Sequence, residues 1–439
     1  MHFNCPLKIN HLFSKINSRV LLYCILTCEL INVVYFAIFF YSKGYLPAPF
    51  VWDKYDTFMD FYNPLYWVIK DGFYTTFQSV YPPLNYYFLK FFAWGADLNA
   101  TVDRFELRNS HIGLSIFLCS IYIAILLIVT NIGQWRKVKL GNPILIWIAC
   151  ICSVPVLFAL ERGNIIFIAL LFLACYLATE NRWLKAIFFG LLVNIKPYFI
   201  ILLIQYINFY SFNKLDLLRC IFLAAIIFIS TGLMVGLNIL DFISSYYAIS
   251  SQGGIGDDGL LALPNTLASL YPLKNIIYYS FNSPNSTYAF WFSCLKLMAI
   301  ITPLVLFLLT VFRPLSATEK IIAALVLIAN FSHVVGGYIF IIYILLIPYL
   351  YEKSIYKSLL ILSLIILCLP VDIIRINFIP IYFPVNSYLS GGITLDNNIL
   401  FLGLGTIIRP IANYLIMLTL IIKFLKKYPL SMAFLRSQR

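Results

Sequence analysis

Long apolar runs constrain this chain more than any other feature. Nearly uncharged stretches of roughly 18 or more residues recur throughout, and each is long enough to cross the hydrocarbon core of a bilayer. Only 11% of the 439 residues are charged, whereas soluble domains have about 25%. The runs are continuous rather than alternating, which favours helices. We therefore predict an all-α polytopic membrane protein that forms one integral membrane domain over 1–439.

The apolar runs predict about twelve transmembrane helices. Their ranges are 20–42, 111–132, 143–160, 164–179, 184–196, 198–211, 219–238, 288–312, 320–335, 337–351, 357–373 and 399–424. The pieces around 184–211 and 320–351 are short. Broken or re-entrant helices are tolerated at membrane depth only where they line a cavity, so we expect these pieces to do so.

Charge predicts the orientation. The connectors on the side of the two termini hold 19 of the 31 Lys and Arg residues, and such residues stay in the cytoplasm. Both termini are therefore expected to be cytoplasmic. Three large loops, 43–110, 239–287 and 374–398, then lie outside. The net charge of +13 follows from this topology, so no nucleic-acid partner is expected.

The residues that usually bind metals or form disulfides show no site pattern. The ten cysteines fall in apolar segments or in the N-terminal tail, so they predict no disulfide framework. The four histidines are scattered without Cys/His ligand spacing. We expect no metal site and no cofactor, although a carboxylate-bound Mg²⁺ stays open.

The first outer loop contains the stretch "VWDKYDTFMDFYNPLYW", with Asp53, Asp56 and Asp60 among aromatic residues. If 53–71 is helical, the three carboxylates lie on one face. One interpretation is the wet face of an interfacial amphipathic helix. The other is a carboxylate that faces a cavity at the membrane surface and acts as a general base.

Three further stretches follow in order: "SVYPPLNYYFLKFF", "LERGNIIFIALLFLACYL" and "AIFFGLLVNIKPYFIILL". With Asp60-Phe61 they resemble glycosyltransferase family 87, which has the GT-C fold and uses polyprenyl-phosphate sugars. The resemblance covers roughly 55–215. The later "NFSHVVGGY" departs from the family's Ser-Trp-x-His-His stretch, which puts a role for His333 in doubt. Residues carrying the resemblance are Asp60, Phe61, Tyr62 or Tyr66, Tyr81-Pro82-Pro83-Leu84, Arg162-Gly163-Asn164, Gly190 and Lys196-Pro197, with Asn265 in a later loop.

The resemblance implies inverting transfer of a hexose, best exemplified by mannose, from a polyprenyl-phosphate donor to a hydroxyl of a glycolipid or glycan acceptor. It implies that Asp60 is the general base, and Asp56 is the fallback. The partners are then the donor, the acceptor and membrane lipids, at the outer face of a membrane that we take to be a bacterial inner membrane. The predicted substrate-binding residues are Tyr62, Tyr81, Arg162, Asn164, Lys196, Asn265 and Arg409.

Cations near the expected outer face are candidates for binding the donor phosphate, because charges within the membrane are costly and usually functional. Lys196 stands out between two short apolar pieces, but it could also be a snorkelling lysine. Arg409 could instead pair with Asp372 or Glu161. The full set of candidates is Arg104, Arg108, His111, Arg162, Lys196, Arg375 and Arg409.

Two other functions stay open. A polysaccharide polymerase would have similar spans and loops but a diphosphate-linked donor. A flippase or transporter for lipid-linked sugars would usually show repeated halves, and we detect no repeat in the sequence.

Overall fold

The computed structural model describes a large part of the chain. The described residues are 18–43, 46, 50, 57–93, 103–135, 143–207, 209, 212–235, 241–245, 286–331, 338–344, 363, 366–376 and 402–427.

Within these residues the structure is all-α apart from one pair of two-residue strands. The α-helices are α1 Ser18–Lys43, α2 Met59–Ile69, α3 Pro83–Ala93, α4 Arg104–Ser110, α5 Ile112–Trp135, α6 Pro143–Cys152, α7 Val154–Arg162, α8 Ile166–Ala178, α9 Arg182–Ile195, α10 Lys214–Met234, α11 Ser286–Phe312, α12 Ala317–Phe331 and α13 Gly405–Lys427. 3₁₀ helices occupy Pro197–Gln205 and Val371–Ile373, and further short helical segments lie at 241–245 and 338–344. β1, Arg375–Ile376, pairs antiparallel with β2, Leu402–Gly403.

Several helices have the character of membrane spans. Among the described residues, three are long and apolar enough to cross a bilayer, over Leu22–Ser42, Ile112–Asn131 and Lys214–Met234. Shorter apolar helices lie at Ile166–Ala178 and Leu297–Phe312. The outer face of α10 leaves large apolar side chains exposed, which suits contact with lipid; they include Leu215, Leu218, Phe222, Ile226, Ile229 and Leu233. The structure thus supports a helical membrane protein, and the number of crossings stays a prediction.

The described residues of the first outer loop form short helices. The helix over 53–71 that would place three carboxylates on one face is not continuous in the structure, because α2 begins only at Met59 and ends at Ile69. Phe58 precedes it in the left-handed conformation, with φ 61°, which a regular helix cannot contain. Asp60 therefore lies in the first turn of α2. Asp53 and Asp56 lie outside the described residues.

The helices α8, α9 and α10 pack side by side, and a glycine sets the closest crossing. A Cβ at Gly190 in α9 would come within 2.8 Å of the Ile227 side chain and 3.2 Å of the Ala224 backbone nitrogen in α10. The Asn194 amide donates to the Ala224 carbonyl at 3.0 Å across the same crossing. This contact fixes the end of α9, where the chain reaches Lys196.

One predicted span is broken in the structure, and a break lies where two short predicted pieces meet. The run 143–160 is divided between α6 and α7 at Ser153, whose hydroxyl donates to the Cys150 carbonyl at 2.8 Å. Pro155 follows in the first turn of α7, where its missing N–H costs nothing. The run around 184–211 breaks at Lys196, which has extended backbone between α9 and the 3₁₀ helix. Both breaks lead toward the site described next.

Candidate functional site

The site forms where the first outer loop meets the end of α7. The backbone N–H of Phe58 donates to the Glu161 carbonyl at 2.8 Å. The left-handed conformation of Phe58 is rare for a bulky side chain, and this bond helps to hold it. As a result, the first turn of α2 lies directly over the carboxyl end of α7.

Gly163 makes that approach possible for two reasons. It ends α7 in the left-handed conformation, with φ 64°, which glycine adopts without steric cost. A Cβ there would also lie 3.1 Å from the Phe61 Cβ and 3.2 Å from the Phe58 ring. The glycine of the Arg-Gly-Asn stretch is therefore needed for both turn geometry and space.

Both carboxylate oxygens of Asp60 accept hydrogen bonds from the two residues that flank Gly163, Arg162 and Asn164. Arg162 donates to Oδ1 from Nη2 at 2.5 Å and from Nε at 3.1 Å. Asn164 donates from Nδ2 to Oδ2 at 2.7 Å, while its own Oδ1 accepts from the Ile166 N–H at 2.9 Å. Asn164 is thus anchored by the first turn of α8 and holds the carboxylate in a fixed orientation.

The balance of charges keeps Asp60 ionised. Burial by itself would raise the pKa of the Asp60 carboxyl, but the Arg162 guanidinium, the Asn164 amide and the Lys196 ammonium together hold that pKa below its ordinary value of 3.8. The Asp60 and Arg162 side chains are 20% and 12% exposed, so the ion pair is mostly shielded from solvent but keeps some contact with it. At neutral pH the site contains a carboxylate.

Lys196 is the second charge of the site. It is only 2% exposed, and its ammonium lies 4.7 Å from the ring centroid of Tyr81 and 5.4 Å from that of Tyr338. Such cation–π contacts partly compensate a buried charge. Within the described part of the chain, the ammonium has no hydrogen-bond acceptor and no ion-pair partner within 4 Å. Its positive charge still helps to lower the pKa of the Asp60 carboxyl.

Tyr338 is brought to the site by a buried polar network. It belongs to the segment 338–344, whose Tyr343 hydroxyl donates to the Asn413 Oδ1 at 2.5 Å. Asn413 in turn donates to the Asn330 Oδ1 at 2.6 Å. Because Asn413 lies in α13 and Asn330 in α12, the ring over Lys196 is held by two helices from the last third of the chain.

Asn85 ties the Tyr-Pro-Pro-Leu stretch to the end of α9. It is fully buried, and its Nδ2 donates to the Asn194 and Ile195 carbonyls at 3.0 and 3.1 Å. Helix ends leave carbonyls without partners, and here a side chain from α3 satisfies two of them. One residue therefore joins the segment that carries Tyr81 to the segment that carries Lys196.

Other predicted phosphate-binding cations contact different parts of the chain. Arg104 donates to the Asn63 Oδ1 at 3.2 Å, and Arg108 donates to the Thr57 carbonyl at 3.1 Å. These bonds attach α4 to the start of α2. Arg409 is buried in α13, with 1% of its surface exposed. Its guanidinium interacts electrostatically with Cys368. The side chain of Arg375 lies outside the described residues.

Tyr62 has protein partners for its hydroxyl. The hydroxyl donates to the His111 carbonyl at 2.8 Å and lies 2.9 Å from the Ser115 hydroxyl. These contacts join α2 to α5 and give Tyr62 a packing role. A role in substrate binding stays a prediction.

Some predicted site residues are beyond what the structure describes, namely Asp56, Asn265 and His333. Among the residues that it does describe, no group of three or more His, Cys, Asp or Glu side chains could hold a metal ion.

Thus the structure brings together Asp60, Tyr81, Arg162, Asn164 and Lys196, all predicted from sequence. Sequence reasoning missed three others. Asn85 and Tyr198 had a signal, since they directly follow the Tyr-Pro-Pro-Leu and Lys-Pro stretches. Tyr338 had none, because a network far along the chain places it. Comparison with family models, curated proteins and solved structures found no match for the chain.

Proposed function

We propose that the chain is a membrane glycosyltransferase. It moves a hexose, mannose in the first instance, from a polyprenyl-phosphate donor to a hydroxyl of a glycolipid or glycan at the outer face of a bacterial inner membrane. Asp60 is the general base, and the anomeric carbon inverts. The observation that carries the proposal is that one site contains a part-buried carboxylate, Asp60, and a buried ammonium, Lys196, that lacks an acceptor within the described residues.

The two charges match the two needs of the reaction. An acceptor hydroxyl must lose a proton as it attacks the anomeric carbon, and a positioned carboxylate can take it. The transition state resembles an oxocarbenium ion, as in glycoside hydrolysis, where carboxylates also act. The leaving group is a phosphate, which needs fixed positive charge rather than protonation. Lys196 supplies that charge.

The charge of the site favours a monophosphate donor. Arg162 is largely neutralised by Asp60, which leaves the Lys196 ammonium as the unbalanced charge among the groups that contact one another here. A sugar linked through one phosphate carries one negative charge, whereas a diphosphate-linked sugar carries two. Because unbalanced buried charge is costly, the single ammonium fits the monophosphate better. This argues against the polymerase alternative.

Asp60 has to be released before it can accept a proton. In the structure both of its oxygens accept hydrogen bonds, and its lowered pKa makes it a weak base. An arriving phosphate competes for the Arg162 guanidinium, since both are good partners for arginine. Loss of the Arg162 bonds frees Oδ1 and raises the basicity of Asp60. Donor binding therefore activates the base.

The surroundings suit lipid-linked substrates. α2, α3 and α4 are short and lie beside long apolar helices, so they fit the surface of a membrane. No resident cofactor is part of the proposal, and a role for Mg²⁺ stays open.

A donor assay tests this function. The purified full chain in detergent is given a membrane glycolipid and glycan extract with radiolabelled hexose linked to a prenyl monophosphate or to a prenyl diphosphate. We expect transfer from the monophosphate donor and none from the diphosphate donor. Transfer from the diphosphate donor alone would establish a polymerase. Movement of the lipid-linked sugar across proteoliposomes without a new glycosidic bond would establish a flippase.

A further inference from the structure

The hydroxyl of Tyr198 differs from the hydroxyls of Tyr122 and Tyr74, two other tyrosines near the site. Tyr198 lies in the first turn of the 3₁₀ helix Pro197–Gln205, two residues after Lys196. Its hydroxyl oxygen is buried and has no hydrogen-bond partner within the described residues. By contrast, the Tyr122 hydroxyl donates to the Gly163 carbonyl at 3.4 Å, and the Tyr74 hydroxyl donates to the Tyr81 carbonyl at 2.7 Å.

A buried hydroxyl without a partner requires an explanation. Native proteins satisfy the great majority of their buried polar atoms, and an unsatisfied one destabilises the fold. The ring of Tyr198 packs on Phe199 with centroids 5.1 Å apart, a contact that phenylalanine would make equally well. The structure therefore shows no contact by which this hydroxyl would stabilise the fold.

The position of this hydroxyl relates it to Lys196. The Lys196 ammonium lies over the rings of Tyr81 and Tyr338. The Tyr198 hydroxyl interacts electrostatically with Tyr81 and with Tyr338. The ammonium and the hydroxyl thus lie in the same part of the site, and both are donors that lack an acceptor in the described chain.

We propose that Tyr198 is a ligand-binding residue whose hydroxyl donates a hydrogen bond to the phosphate oxygen held by Lys196. The proposal rests on the proposed function for the identity of the ligand. One phosphate group would satisfy both donors at once. A ligand without an anionic oxygen, such as a prenyl alcohol, leaves the buried ammonium without a counter-charge, and sites of that kind reject such analogues strongly. Tyr198 therefore helps to select phosphorylated prenyl lipids.

The substitution Tyr198→Phe tests this directly, because it removes only the hydroxyl. The probe is a short-chain prenyl monophosphate without sugar, titrated against the full chain in detergent. Hydrogen bonds to charged groups are stronger than neutral ones, so we expect the variant to bind the probe about 10–100-fold more weakly. The melting temperature without the probe should be unchanged or higher, since an unsatisfied hydroxyl has been removed.

The matched control is Tyr176→Phe. The Tyr176 side chain is buried, and its hydroxyl has a protein partner, the Tyr206 hydroxyl, at 3.2 Å. This variant should melt at a lower temperature and bind the probe as the wild type does.

Unchanged binding by Tyr198→Phe would overturn the inference, and so would a lowered melting temperature, because the hydroxyl would then serve the fold. Absence of probe binding by the wild type would overturn it as well. If binding depends on Tyr198 while no sugar is transferred from any prenyl-monophosphate donor, the inference stands and the proposed function fails.

Discussion

Arg162 directs two donors at one oxygen of Asp60, a residue 102 positions earlier in the chain, and leaves the other oxygen to Asn164. The arrangement is asymmetric, because Arg162 can leave while Asn164 still holds the carboxylate in place. On the proposed function, this geometry restrains the base at rest and lets the donor release it.

Substitution of Gly163 should damage the site. In Gly163→Ala the added Cβ meets Phe61 and Phe58 at 3.1–3.2 Å, and a left-handed alanine costs about 1–2 kcal/mol. We expect a lower melting temperature and loss of most transfer activity, since Arg162 moves with the turn. Gly113→Ala is the control, because its Cβ meets nothing within 4 Å and alanine favours helix. Equal stability of the two variants would contradict the geometry.

Removal of Asn85 should weaken the junction between α3 and α9. Asn85→Ala leaves the Asn194 and Ile195 carbonyls without their donor, and each buried group left unpaired costs about 1–3 kcal/mol. Thermal unfolding in detergent should show a clear loss of stability. Asn63→Ala, which removes only one bond to Arg104, should have a small effect. If the two variants unfold at the same temperature, the Asn85 hydrogen bonds do not stabilise the junction between α3 and α9.

Replacement of Lys196 should separate binding from stability. A buried ammonium carries a desolvation cost of several kcal/mol, which the two tyrosine rings offset only in part. Lys196→Met keeps the apolar stem and removes that cost, so the melting temperature should stay the same or rise. Affinity for a prenyl monophosphate should fall by about tenfold or more.

Lys90→Met is the matched control for that experiment. Lys90 is exposed and contacts one ring, that of Tyr86, at 5.5 Å. Its replacement should leave prenyl-phosphate affinity intact. Strong destabilisation by Lys196→Met, with affinity preserved, would show that the lysine is structural.

The pH dependence of stability should report the lowered pKa of Asp60. Because this pKa lies below 3.8 in the folded protein, the carboxylate contributes stability that is fully present above the ordinary carboxyl range. That stability is lost as the pH falls through the folded-state pKa. The difference in unfolding free energy between wild type and Asp60→Asn should be constant from pH 7 to about pH 5 and should shrink only below pH 3.8. A wild-type advantage that grows as the pH falls from 7 to 5 would instead indicate a raised pKa.

Much of the site was predicted through the resemblance of three stretches to glycosyltransferase family 87, and Lys196 also through its place between two short apolar pieces. In the structure Gly163 forms the turn that presents Arg162 and Asn164, and Pro197 follows the break at Lys196. Apolar runs likewise predicted where the long helices lie. These features depend on local chemistry, which a single sequence contains.

The remainder depends on contacts between distant segments. The helix in 53–71 begins only at Met59 because the Phe58 N–H donates to the Glu161 carbonyl. No local sequence pattern around Phe58 predicts that hydrogen bond. Tyr338 reaches Lys196 because Asn330, Tyr343 and Asn413 link three segments. Neither spacing nor composition predicts such a network.

The central claim is that Asp60 is the base for transfer from a prenyl-monophosphate hexose. The most direct measurement is the rate of sugar transfer by Asp60→Asn, with the exposed Asp71→Asn as control, each at matched amounts of folded protein. We expect Asp60→Asn to lose about 10²–10⁴-fold in rate while it still inserts in membranes, and Asp71→Asn to keep the wild-type rate. Wild-type transfer by a folded Asp60→Asn protein would contradict the account.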